Sequence, residues 1–408
     1  MEEPPLLLDP AHPEVRVEFG MARAWVALEQ ANRATAEQWA AVADTLDEAR
    51  EYPSVFLPET PGLSAAERIA FAVRAAAADL AVRMLQSESS IRTHDAHVHA
   101  LRASMPRLWA EFREGTISPA NARVAAELVI SLPDEGDVRA RFDAELNEPS
   151  RHLTPAAFRA RARALRDRLC ADDLAERAAE ARRTRGVWLD DDVDGMSSLF
   201  LRLPAADAHQ AYAEIDGTAR ALAAIEGETR TLAQLRADVA SDLLTGARVS
   251  GRSNVSVGVT VPVLTLLGRS EEPGTLDGYG PIDAATAREL AGHAPSFTRL
   301  LVHPVSSAVL DVDRTTYRVP ADLKRWLAVR DRTCVFPGCG VRASRADIDH
   351  TVDWQHGGQT RADNLAHLCR HHHRLKHHTR WTLRQTPERP REWTSPTGEV
   401  RTTDPPPF

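Results

Sequence analysis

The chain has 408 residues, of which 43% are hydrophobic and 26% charged, with a formal net charge of −8. That length exceeds what one compact core organises, so two or three domains of ordinary globular composition are expected. No apolar run approaches the roughly 18 residues of a membrane span, and the acidic start MEEPPLLLDP lacks a basic region followed by a long apolar stretch. Neither a membrane anchor nor a secretory signal is read, and a cytoplasmic protein is expected.

Ala, Arg, Asp and Glu are abundant and aromatics sparse, a mixture that favours helices. From Glu14 to about Arg50, Ala, Val, Leu and Trp recur at helical spacing. Ser64 opens a capping box closed by Glu67, and its helix runs to about Ser87. A helix from about Ile91 to Glu114 stops at Gly115. Ser118-Pro119 and Thr154-Pro155 each set a capping residue before a proline at the first helical position; the second opens a long Ala/Arg helix ending near Arg183. The period then changes, and VWLDDDVDGMSSLFLRLP predicts two short strands around an Asp/Gly turn. Asp190, Asp192, Asp194 and Gly195 have the spacing of a calcium loop's opening, but the position of its closing Glu holds Leu201, so a plain turn is expected. Helices resume from about Ala205 to Ile225 and, behind a Thr231/Gln234 capping box, to Leu244. A strand over Val255–Val261, a short helix over Asp283–Ala291, a hairpin-like stretch over Thr298–Arg318 and a helix over Pro320–Arg332 complete the series.

The expected division is a helical domain over residues 1–250, a small mixed α/β connector over 251–320, a metal-bearing unit over 321–386 and a disordered tail over 387–408. From Ala321 onward there are 15 Lys and Arg against 10 Asp and Glu, which leaves −13 on the remainder. A basic, histidine-rich end on an acidic chain is compatible with a polyanionic partner. Upstream, His94, His97 and His99 crowd around Asp95, but at helical spacing His94 and His97 share one face and Asp95 and His99 another. The pairs do not converge, and a solvated helix start is expected there.

Cys170 stands alone and reads as a small buried residue, whereas Cys334, Cys339 and Cys369 fall in one C-terminal stretch. Cys334 and Cys339 form a Cys-x4-Cys knuckle turned by Pro337-Gly338, and Cys369 precedes His372 at Cys-x2-His spacing. Four sulfur and nitrogen ligands in two close pairs suit a closed, structural Zn²⁺ site. His371 is a rival to His372, which the pair spacing favours. Between the pairs lie Asp349-His350, Gly357-Gly358 and Asn364, and His373 follows directly after His372.

This order of Asp-His, Asn and His inside a paired Cys/Cys and Cys/His frame resembles the HNH nuclease motif in its zinc-stapled form, over about Ala328 to Leu383. The phrases FREGTISPANA, TRTLAQLRADVASDLL, VSVGVTVPVLTLLG and LDGYGPIDAATARELA are similar to the helical N-terminal domain of unknown function that accompanies such nucleases in actinobacteria. The resemblance implies a mainly α N-terminal region followed by a ββα-metal finger. It also implies a DNA endonuclease, acting on double-stranded DNA, with catalytic Mg²⁺ or Mn²⁺ besides the structural Zn²⁺. His350 would be the general base, Asp349 and His373 the catalytic-metal ligands, and Asn364 the residue that orients the His350 ring by a hydrogen bond.

His377, His378, Lys376, Arg374 and Arg380 read equally as a solvated helix end or as phosphate contacts, and Lys376 is the favoured contact because it lies one turn beyond His373. His377 and His378 have no assigned role. His356 and His367 are expected on loops or the surface, and Trp354 and Trp381 as packing anchors. Two other readings remain: a nucleic-acid-binding protein whose nuclease unit is idle, and a zinc-stabilised interaction module. A scaffold needs only the zinc ligands, so the full set Asp349, His350, Asn364 and His373 favours the enzyme.

Overall fold

A computed structural model describes residues 13–59, 62–134, 137–170, 174–192, 194–245, 259–276, 279–292, 319–354, 357–386 and 389–403. In chain order these form α1 (Pro13–Glu51), α2 (Ala65–Met84), α3 (Glu88–Ser104), α4 (Pro106–Glu114), α5 (Pro119–Val129), α6 (Val138–His152), α7 (Pro155–Leu169) and α8 (Leu174–Arg183). The hairpin β1 (Gly186–Asp191) and β2 (Ser197–Arg202) follows, then α9 (Ala205–Ala223) and α10 (Leu232–Thr245). Next come β3 (Val259–Thr260), α11 (Val263–Leu266), β4 (Gly274–Leu276), β5 (Gly280–Ile282) and α12 (Ala284–Gly292). The C-terminal part holds α13 (Ala321–Asp331), β6 (Asp347–His350), β7 (Leu365–Leu368), α14 (Arg370–His378), β8 (Thr382–Thr386), β9 (Arg389–Thr394) and β10 (Val400–Thr403). No helix among the described residues is long and apolar enough to cross a membrane.

The local signals act where they stand. Ser64 and Glu67 close a reciprocal capping box on α2, and Ser118 caps α5 through the Asn121 amide. Thr231 and Gln234 pair in the same way before α10. The helix expected from Ile91 to Glu114 is two helices. Pro106 cannot donate to the turn before it, and Met105 leaves helical geometry there. The helix expected to end near Arg183 is interrupted as well, since α7 ends at Leu169 and α8 begins at Leu174. Asp190 and Asp191 lie in β1, and Asp192, Asp194 and Gly195 follow it before β2. Of the strand expected over Val255–Val261 only residues 259–261 are described, of which Val259 and Thr260 form β3, and the hairpin-like stretch 298–318 lies outside the described residues.

The chain divides into two compact units that are not consecutive in sequence. One joins residues 1–171 to 300–408, and the other comprises 172–299. The second contains the β1–β2 hairpin, the α9/α10 pair and the three-stranded sheet β3-β4-β5. In the first, the N-terminal helices and the C-terminal unit share one hydrophobic core. Val42, Leu46, Phe71, Ala75 and Ile91 from α1–α3 cluster with Phe336, Leu368, Leu375, Trp381 and Trp393. Hydrogen bonds cross the same boundary: Trp381 Nε1 donates to the Ala75 carbonyl at 3.2 Å and the Arg380 amide to the Phe56 carbonyl at 2.9 Å. The N-terminal helices and the C-terminal metal-bearing unit, expected as separate domains, thus share one core.

Two further expectations are corrected. Two strands, β9 and β10, lie in the tail expected to be disordered, and Arg391, Trp393 and Ser395 alternate inward there and are all buried. Trp393 Nε1 donates to the Val335 carbonyl at 2.9 Å, and β8, β9 and β10 pair as one antiparallel sheet. His94 and His97 are buried, not solvated. His94 stacks on Trp39 at 4.7 Å, and neither Nδ1 has a hydrogen-bond partner.

Burial, with the positive charge of Arg123 adding to it, lowers both of these histidine pKa values. An unfolded histidine titrates near about 6.5, so as pH falls the unfolded chain takes up protons before the folded one does. Stability contributed by the neutral rings is complete above that value and is lost as pH drops from about 6.5 towards the lowered folded values. His94→Phe, which keeps a ring against Trp39, is expected to reduce the fall in Tm between pH 7 and pH 5. An unchanged slope would contradict this account.

Candidate metal centre and active site

The Cys3His cluster begins with a turn. Gly338 takes a positive φ of +77°, which lets the Cys339 amide reach back to the Phe336 carbonyl at 3.1 Å. Cys369 is the N-cap residue of α14 and His372 lies in its first turn, so the positive end of the helix faces the sulfur. Ligand atoms of Cys334, Cys339, Cys369 and His372 lie within 4.8 Å of one another. His372 Nδ1 is 3.4 Å from Cys334 Sγ and 3.3 Å from Cys369 Sγ. A tetrahedron with Zn–N of about 2.0 Å and Zn–S of about 2.3 Å has N···S edges of about 3.5 Å, so these residues fit zinc. Phe336 stacks flat on the His372 ring, 3.9 Å between centroids at 9°.

His371 does not join the sulfurs. Its Nε2 meets Glu88 Oε2 at 2.8 Å, while His372 Nε2 meets Glu88 Oε1 at 2.6 Å. Glu88 is the first residue of α3, 283 and 284 positions away. Burial pushes its carboxyl pKa up, but the two histidines win and hold it at about 2.

The second cluster lies where β6 meets α14. Asp349 is the third residue of β6, paired with Ala366, and His350 is paired with Leu365. Asp349 Oδ1 lies 3.1 Å from His373 Nε2 and 3.0 Å from His377 Nε2, and the three offer converging ligand atoms. Burial works against the Asp349 charge, yet hydrogen bonds from His373 and His377 and the Lys376 ammonium keep its pKa far below the usual range. The same hydrogen bond raises His373. His377 is the member that sequence reasoning missed. Its signal was present in the four-residue spacing from His373, which puts both rings on one helix face.

Lys376 is not poised as a phosphate contact. Its ammonium reaches Asp349 Oδ2 and the His350 carbonyl, each at 2.6 Å, and its side chain is only 9% exposed. It fixes the carboxylate from the side opposite the two imidazoles. Arg374 is exposed, with its guanidinium 5.3 Å from the Phe71 ring centroid and Arg74 at 5.4 Å from the same ring. Arg74 and Arg374 thus bring two positive charges together from α2 and α14.

His350 is buried at the end of β6, and burial, assisted by Lys376, lowers its pKa. Its Nε2 lies 3.1 Å from the hydroxyl of Thr360, which is also buried. The expected bond from Asn364 to this ring is not made. Asn364 Oδ1 accepts from the Val352 amide at 2.8 Å, and its Nδ2 donates to the carbonyls of Val352 at 3.1 Å and Gln359 at 2.9 Å. Asn364 therefore shapes the loop between β6 and β7, and Thr360 on that loop takes the ring. Gly358 makes this closure possible, since a Cβ there would stand 1.7 Å from the Val352 carbonyl oxygen.

His367, expected at the surface, is buried and anchored to Asp331 at 3.0 Å. Asp331 also receives Arg330 and Arg391, tying α13 to β7 and β9. Trp354 is 37% exposed and Trp381 is 1% exposed, so only Trp381 is fully a packing residue. His356 lies outside the described residues.

A two-stranded ribbon followed by a helix, stapled by a Cys3His cluster and carrying an Asp/His cluster where strand meets helix, is a ββα-metal finger of the HNH kind. The family described as HNH endonuclease matches residues 333–379, and the family described as a domain of unknown function (DUF222) matches residues 26–331. The chain belongs to the DUF222 family and carries an HNH endonuclease domain after that region.

Its relatives include the uncharacterized protein Rv3776 of Mycobacterium tuberculosis, 29% identical over 255 residues, which are 53% of this chain and 48% of that protein. The uncharacterized protein Rv2100 of the same species is 44% identical over 90 residues, 22% of this chain and 16% of that protein. The chain thus spans about half the length of the first and about a sixth of the second. No solved structure matches.

Proposed function

We propose that this protein is a divalent-metal-dependent endonuclease that hydrolyses phosphodiester bonds of double-stranded DNA, with His350 as general base. The observation that carries this reading is the meeting of Asp349, His373 and His377 at the end of β6, with the buried, neutral-leaning His350 next in sequence. A zinc staple alone would require none of these four.

One carboxylate oxygen and two imidazole nitrogens fit a divalent cation. Imidazole donors suit first-row transition ions, and Mn²⁺ matches the mixed set better than Mg²⁺, which prefers oxygen. When bound, such an ion neutralises charge on the phosphate and stabilises the leaving oxygen. The protein's own residues do the rest. Lys376 holds the second oxygen of Asp349, leaving the first for the cluster. The lowered pKa of His350 keeps its ring neutral near pH 7 and able to take a proton from the attacking water. Thr360 fixes the orientation of that ring. Arg374, together with Arg74, offers positive charge to flanking phosphates.

The test is incubation of the purified protein with supercoiled plasmid and either Mg²⁺ or Mn²⁺. Nicked or linear product is expected, faster with Mn²⁺. Failure to cut double-stranded DNA, single-stranded DNA or RNA with either ion would overturn the reading.

A further inference from the structure

We propose that Glu88, on the helical region of unassigned role, positions His372 for the structural zinc, so that this region forms part of the metal centre. The proposal rests on the zinc reading of the Cys3His cluster. His372 has two ring nitrogens with opposite duties. Nδ1 faces Cys334 and Cys369 at 3.4 and 3.3 Å, which makes it the ligating atom. Nε2 must then carry the proton, and it meets Glu88 Oε1 at 2.6 Å. A carboxylate accepting this proton fixes the tautomer and raises the basicity of the ligating nitrogen. Phe336 covers one face of the same ring, so its tilt and its rotation are both set.

A simpler account of Glu88 is an acidic residue in the first turn of α3, favourable to the helix dipole. That account needs only an exposed carboxylate. Instead the side chain is 12% exposed and its two oxygens bridge His372 and His371, with Arg92 3.4 Å from the outer one. Burying a charge in this way is unfavourable unless the partners it meets give a compensating return. Ser87 caps α3 through the Ser90 amide, so the helix start is satisfied without Glu88. The finger alone contains no carboxylate that does this work among the described residues: Asp349 is engaged by Lys376, and Asp353 faces Lys376 and His377.

The test compares zinc affinity of the full chain by competition with a chromogenic chelator. Glu88→Ala is expected to bind zinc about 10- to 100-fold more weakly than wild type. Glu88→Gln keeps an acceptor at the same reach and is expected to recover part of that loss; as an isosteric change it also carries the test if the alanine variant does not fold. His371→Ala, which touches only the outer oxygen, is expected to stay within about twofold of wild type. The Co²⁺-substituted Glu88→Ala protein should show a shifted visible spectrum, which a purely structural role for Glu88 would not produce. Equal affinity in wild type and both Glu88 variants overturns the proposal alone, as does a loss in His371→Ala as large as that in Glu88→Ala. Wild-type protein that takes up no zinc overturns the zinc reading and this proposal with it.

Discussion

Cys369→Ser is expected to unfold the whole body formed by the N-terminal helices and the finger, not the finger alone. Structural zinc in small finger peptides contributes apparent free energies of about 10–16 kcal/mol, comparable to the roughly 5–15 kcal/mol of a domain's entire net stability. Here the cluster organises the ring that the core is built around. Phe336 lies flat on His372 and makes edge contacts with Trp381 at 5.1 Å and Trp393 at 5.0 Å. Trp381 in turn is bonded to the α2 backbone, and Ala72, Ala75 and Ala76 belong to the same core. With the staple gone, Phe336 loses its platform and the aromatic group loses its hold on α2. The expected result is one transition, in which helical circular dichroism and tryptophan fluorescence melt together at a strongly reduced Tm. A chelator should reproduce it in the wild type. Finger-specific fluorescence loss with the α1–α7 helical signal melting at its original temperature would refute the shared-body account.

The parts of the fold and site that could be read in the sequence were those whose cause is local. Capping boxes at Ser64 and Thr231 act through a side chain three residues from its partner. The knuckle at Cys334 and Cys339 and the Cys369/His372 pair are short-range spacings, and the structure brings the two pairs together. What escaped depends on partners distant in sequence. Nothing near Glu88 announces a histidine 284 residues away. The companion of the His350 ring is Thr360, because Asn364 is taken up by the loop backbone, and no spacing rule separates those two outcomes. Lys376 lies one turn beyond His373 by spacing alone, but the direction of its ammonium depends on where Asp349 lies. The C-terminal strands are a different case. Arg391, Trp393 and Ser395 alternate with period two, a local signal that the surrounding prolines and charges obscured.

His350→Ala is expected to lower the single-turnover cleavage rate by about 10²- to 10⁴-fold, the usual range for a positioned general base. Metal and DNA affinity should change little, because the ring lies outside the Asp349/His373/His377 cluster and bonds instead to Thr360. Asp349→Ala has a different signature. It removes the one carboxylate in that cluster and leaves Lys376, buried beside the His350 carbonyl, with only the more distant Asp353 carboxylate, at 3.7 Å, as counter-charge. Cleavage and catalytic-metal affinity should therefore fall together, and raising the metal concentration should restore little. Thr360→Val keeps the volume and loses only the hydroxyl, so its rate should fall by less than that of His350→Ala. The three variants separate proton transfer, metal binding and ring orientation within one site. Cleavage that persists at the wild-type rate in both His350→Ala and Asp349→Ala would show that the chemistry is performed elsewhere on the chain.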